Sequence, residues 1–420
     1  MLTLKRLPLI PKLSALWLLI LLLVSTACPA DTLKHISLPR TGLEPKDIAV
    51  IINDSDPLSR QIGNYYQSAR NIPPVNIIRV RFQPGHSEIT PDEFAILKAS
   101  IDQKTPDYVQ AFAVAWTAPY RVGCMSLTSA LAFGFDQKYC ADTCAPTALN
   151  PYFNSPGTKP YNDYRIRPAM MLAGTTFEHV KAMIDRGIRS DRTFPKGQAY
   201  LLSTSDTARN SRAPGFQLIK DEFSGVFPIQ ILETDHIADR NDVLFYFTGL
   251  IRIPMLDTLN FLPGAIADHL TSFGGMLTDS LQMSSLRWLE AGATASYGTV
   301  VEPCSFPQKF PAPAVAMFYY AAGASVIEAY WKSVAWPGQG VFIGEPLAKP
   351  FAPTLRETAP GRVELKVFSP RAGRLRMDKS TSAAGPFHPI ARQAPIRRGE
   401  NLLHINFDEK IDGYLRLQWN

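Results

Sequence analysis

A chain of 420 residues with 46% hydrophobic side chains is too long for one small core and too apolar for a disordered tail, so two or three packed units are expected. The formal charge of +6, from 43 Lys and Arg against 37 Asp and Glu, is too modest an excess to select nucleic acid as a specific partner. Beyond the N-terminal segment no stretch approaches the ~18 uninterrupted apolar residues of a membrane span, which excludes a polytopic membrane protein.

The first thirty residues read as a secretory signal. Lys5, Arg6 and Lys12 precede an apolar run from Leu13 to Val24, and Cys28-Pro29-Ala30 supplies small residues before a cut after Ala30. Two other readings stay open: lipidation of Cys28 after cleavage at Ala27, although Ser25 stands where a larger aliphatic residue is usual, and an uncleaved anchor. The expected location is therefore the periplasm or the extracellular space, or a membrane-tethered lipoprotein, with no transmembrane segment once the signal is removed.

Residues 45–190 carry an α/β rhythm. Ile48-Ala-Val-Ile-Ile-Asn53 is a nearly continuous apolar run, as in a strand covered on both faces. Asp56-Pro57 then caps a helix reaching to about Ala69. Strands are expected over Asn76–Val80 and Val109–Trp116, with helices over Asp92–Ile101 and Thr175–Asp185. Residues 119–167, rich in Pro, Asn and Gly and holding three cysteines, break the rhythm as a long ordered excursion.

The pattern restarts over residues 197–350, a second α/β unit whose sheet is either separate or continuous with the first. Strands are expected at Ala199–Ser203, Phe227–Leu232, Val243–Phe247 and Ala293–Val300, and a weak helix after Asp206. Helices are expected at Gly264–Phe273, Leu281–Ala291, Ala314–Ala321 and Ala324–Trp331. Residues 352–420 differ in texture. Val363–Val367, Leu375–Met377, Leu402–Phe407 and Leu415–Trp419 alternate with period two between turns, as in a small all-β module. Twelve Lys and Arg against seven acids between Phe351 and Asn420 make that module basic. A solvated face accounts for this, or weak contact with anionic envelope polymers.

Export permits disulfides among Cys124, Cys140, Cys144 and Cys304, whose pairing the spacing does not fix. Ligands of parallel sheets sit beyond the carboxyl ends of strands. That rule singles out His269, after the Val243 strand, and Cys304, after the Ala293 strand. A thiolate needs a nearby base or cation, and imidazole serves. Backbone N–H groups around Ser305 are candidates for holding an oxyanion, and Glu302 is a candidate for polarising the site. The plainer readings are a hydrogen-bonded structural histidine and a disulfide cysteine. Asn53-Asp54-Ser55-Asp56 reads first as a turn and helix cap, second as a divalent-cation site. HExxH, GxSxG, GxGxxG and GxxxxGK[ST] are all lacking, so no metal and no cofactor is expected.

Ser285-x-Arg287-Trp-Leu-Glu-Ala-Gly-Ala-Thr-Ala-Ser-Tyr-Gly-Thr-Val-Val-Glu-Pro-Cys304, Ile327-Glu-Ala-Tyr-Trp-Lys-Ser-Val-Ala-Trp-Pro-Gly338 and Gly344-Glu-Pro-Leu-Ala-Lys-Pro350 resemble a family of bacterial signal-peptide proteins to which no activity is attached. More distantly, a His after one strand and a Cys after the next resembles the gingipain- and caspase-like cysteine peptidases, as does Gly344-Glu-Pro346. That resemblance implies a gingipain/caspase-like α/β fold, Cys304 as nucleophile, His269 as base, and a peptide or protein substrate. Leu270 departs from it, because those peptidases place Gly after the His. The alternative is a non-catalytic envelope or secreted binding protein on a peptidase-like scaffold.

Overall fold

The computed structural model describes residues 35–141, 144–406 and 413–419. The signal segment, and with it the expected cleavage and lipidation at Cys28, lies outside the described residues.

Ten strands form one sheet, in the order Ile229–Glu233, Gln198–Ser203, Val243–Thr248, Phe261–His269, Ala295–Thr299, Gly340–Gly344, Ala169–Met171, Ala111–Val114, Ile48–Asn53, Ile77–Val80. The first five are mutually parallel, as are the last five. Gly340–Gly344 runs antiparallel to Ala295–Thr299 and meets Ala169–Met171 through Ile343 and Met171. The two α/β units of the sequence thus share a continuous sheet, and one apolar core runs from Leu43 to Phe351 through both.

The central strands read as apolar runs because helices and loops cover both faces. Ile48–Asn53 and Val243–Thr248 are buried at every position. Asp56 caps helix Pro57–Arg70 by accepting from Leu58 N at 2.9 Å, and Thr90 and Glu93 form a capping box on helix Pro91–Lys104.

One element differs in kind from the expectation. Gly264–Phe273 is not a helix, because Phe261–His269 is a nine-residue strand between two others. Pro263 and Gly264, the latter at φ +89°, oppose a helix. The strand is buried on both faces, so it lacks the polar alternation that announces a half-exposed strand. Strands Ala169–Met171 and Gly340–Gly344 were not among the expected elements.

Residues 354–419 form two facing sheets. Thr354–Ala359, Arg362–Ser369 and Gly399–Asn406 make one; Tyr414–Trp419, Gly373–Ser380 and His388–Ile396 make the other, joined by the short N-terminal strand Ile36–Ser37. Val363, Leu365 and Val367 pack with Leu375, Met377, Leu415 and Leu417 between them. Phe368 turns outward from the first sheet, stacks on Phe227 of the α/β body at a ring separation of 5.2 Å and packs tilted against Phe351 at 4.6 Å.

Candidate functional site at the strand-end rim

The loops after several strands meet on one rim. The Tyr120 hydroxyl, after strand Ala111–Val114, donates to Asp279, in the loop after strand Phe261–His269. Thr117 and Gly174 join the loops after the Ala111 and Ala169 strands. Asn53 and Asp56 close a turn and a helix cap there, and Asp54 pairs with Arg79 at 2.7 Å. That acidic run is therefore engaged in holding the chain. Among the described residues no group of three or more His, Cys, Asp or Glu is arranged to hold a metal.

His269 ends its strand fully buried. Successive strand residues point to opposite faces, which sends Asp268 and His269 into different surroundings. His269 shares a core with Trp288, whose indole N–H donates to its Nδ1 at 2.9 Å. Its Nε2 lies 3.1 Å from the Met283 carbonyl. A carbonyl only accepts, so Nε2 carries the proton and Nδ1 receives one. The ring is neutral and has both nitrogens engaged. Burial pushes its pKa down to about 3.

A glycine pair seals this histidine. Gly274 and Gly275 cross strand Ala295–Thr299 at Gly298, where a Cβ on Gly298 would fall 2.4 Å from Gly274 C and Gly275 N. A Cβ on Gly274 would sit 3.4 Å from His269 Cε1. Only glycines allow so close a crossing of backbones.

On the other face Asp268 pairs with Arg212 at 2.6 Å. Arg212 also donates to the carbonyls of Thr248 and Pro311, at 2.6 and 3.1 Å. Burial raises the Asp268 carboxyl to about 6, against the lowering effect of Arg212. This residue braces the strand end and does not orient His269.

Cys304 is bonded to Cys144, with sulfurs 2.03 Å apart, and Cys124 to Cys140. Both bridges involve the 119–167 excursion. The Cys144–Cys304 bond ties it to the loop after strand Ala295–Thr299 across 160 residues of sequence. Cys304 and Ser305 both lie in the left-handed region, at φ 58° and 53°. The exposed Glu302 accepts from Cys304 N at 2.8 Å, so it shapes the turn that presents the sulfur. Beneath this loop Lys309 is buried and its amine is pushed down to about 8 by burial, with Glu302 opposing. Tyr297 fixes the Lys309 carbonyl at 2.5 Å.

The three residues nominated by the sequence thus do different work in the oxidised molecule. Cys304 has no thiolate to offer, His269 no free nitrogen, and Glu302 holds a backbone turn. Trp288, Arg212 and the glycines at 274, 275 and 298 escaped sequence reasoning, because their importance lies in what crosses them. No protein-family model, curated protein or solved structure matches the chain.

Proposed function

We propose that the protein is a non-catalytic binding protein acting outside the cytoplasm, built on an α/β scaffold of the gingipain/caspase-like kind. The Cys144–Cys304 disulfide carries this reading, since it consumes the only sulfur that a His269/Cys304 dyad would use. Two disulfides suit an oxidising compartment, which agrees with the signal-like N terminus. No helix among the described residues is long and apolar enough to cross a membrane.

In this reading the cysteines fasten loops over the strand ends, and the rigid rim and the terminal module present surfaces to partners. Thiol catalysis would require breaking the Cys144 bond and freeing an imidazole nitrogen from Trp288 or Met283.

The test is peptide turnover by the full exported chain, oxidised and after mild reduction, beside Cys304→Ser. We expect no cleavage in either state beyond that of the variant. Turnover by the reduced chain that Cys304→Ser abolishes would overturn this reading in favour of a cysteine peptidase held latent by its disulfide.

A further inference from the structure

The two sheets of the terminal module face different surroundings. The sheet containing Arg362–Ser369 docks on the α/β body: Phe368 packs on Phe227 and Phe351, Lys366 lies 4.2 Å from the Phe194 ring centre, and Arg398, in the loop before Gly399–Asn406, donates to the Glu222 carbonyl. The sheet containing Gly373–Ser380 therefore turns its outer face away from the body.

Alternation fixes what that face presents. Leu375, Met377, Leu415 and Leu417 point into the sandwich, so Arg374, Arg376, Arg416 and Gln418 point out. Arg376 stands opposite Gln418 on one neighbouring strand and Gln393 on the other. Arg374 donates to Gln393 Oε1 at 3.3 Å. Asp378 supplies the carboxylate among these groups and is only 3% exposed at its side chain. It receives Arg416 at 3.0 Å and lies 3.7 Å from Arg376, while Arg416 also rests 4.5 Å from the Phe387 ring centre. The buried carboxylate and the ring hold these guanidinium groups in place, and the arginines remain in solvent with an excess of positive charge.

We infer that this outer sheet face is a binding site for an anionic polysaccharide. Alternate-residue spacing of ~6.7 Å separates Arg374 from Arg376, and pairing of Asp378 with Arg416 sets a third guanidinium on the neighbouring strand ~4.8 Å away. A guanidinium presents a planar fork that matches a carboxylate or sulfate with two parallel hydrogen bonds. Gln393 and Gln418 flank Arg376 on its two neighbouring strands, and their amides can meet hydroxyls beside it. The inference rests on the binding-protein reading of the molecule and uses none of the strand-end rim.

The experiment measures binding of the full, oxidised chain to alginate, with dextran as the uncharged control. Arg374→Gln/Arg376→Gln is compared with Lys220→Gln/Arg240→Gln, which removes the same charge from the body. We expect alginate binding that weakens steeply with salt, no dextran binding, and a loss of about tenfold in the first variant against under about twofold in the second. Thermal midpoints within about 2 °C of the unmodified chain establish that both variants are folded. Equal losses in the two variants, or binding to phosphatidylglycerol vesicles and not to alginate, would overturn the site. Peptide turnover alongside intact alginate binding would sink only the non-catalytic reading.

Discussion

His269 shows how a residue type suited to catalysis serves as structure when its surroundings are closed. Its indole and carbonyl partners are satisfied only by the neutral ring, and burial holds the pKa near 3, against an ordinary value of 6.5. The unfolded chain therefore binds the extra proton first as pH falls, so this residue's contribution is whole above about pH 6.5 and is lost toward pH 3. Asp268, raised to about 6, acts with the opposite sign between its ordinary 3.8 and that value. A comparison that isolates His269 uses His269→Gln, whose amide keeps a donor and an acceptor but does not titrate. The thermal midpoint of the native chain should exceed that of the variant by more at pH 7 than at pH 4. A gap that stays constant would show that His269 does not titrate on unfolding in this range. Sequence named His269 as noteworthy. Its partner Trp288, 19 residues on, was out of reach because the contact spans the turn covered by Gly274 and Gly275.

At the scale of elements, the apolar runs were legible and the doubly buried strand was not. Ile48–Asn53 and Val243–Thr248 announce themselves by β-branched and aromatic residues without interruption. Phe261–His269 mixes Pro, Gly and Ala, and its polar Asp268 and His269 are paid for by partners from distant segments. The Gly344-Glu345-Pro346 segment offered only a resemblance to the eye. In the fold Glu345 is fully buried, accepting from Tyr66 at 2.7 Å, Arg70 Nε at 3.0 Å and Leu347 N at 3.2 Å. Arg70 also pairs with Asp191, so one carboxylate gathers helix Pro57–Arg70 and the end of helix Phe177–Ser190 at the end of strand Gly340–Gly344. Glu345→Ala leaves a buried guanidinium short of its main partner. Urea unfolding should report a loss of about 3–5 kcal/mol. A loss below about 1 kcal/mol would mean that solvent or Asp191 compensates and that the cluster is not a brace.

For the whole molecule, alternation of strands and helices was enough to expect mostly parallel α/β structure, and period-two patterning marked the terminal module. Continuity of the sheet was not legible, because it depends on Gly340–Gly344 joining the two halves from far along the chain. Disulfide pairing was not legible either. Four cysteines allow three complete pairings, and only the fold brings Cys144 within 5.3 Å of Cys304, Cα to Cα. That bond decides between clasp and nucleophile. Its most direct test is alkylation of the protein, prepared without reductant, under denaturing conditions, followed by peptide mapping. No alkyl group is expected on Cys124, Cys140, Cys144 or Cys304, and a linked peptide pair containing Cys144 and Cys304 is expected. A free Cys304 that takes up the label would contradict it.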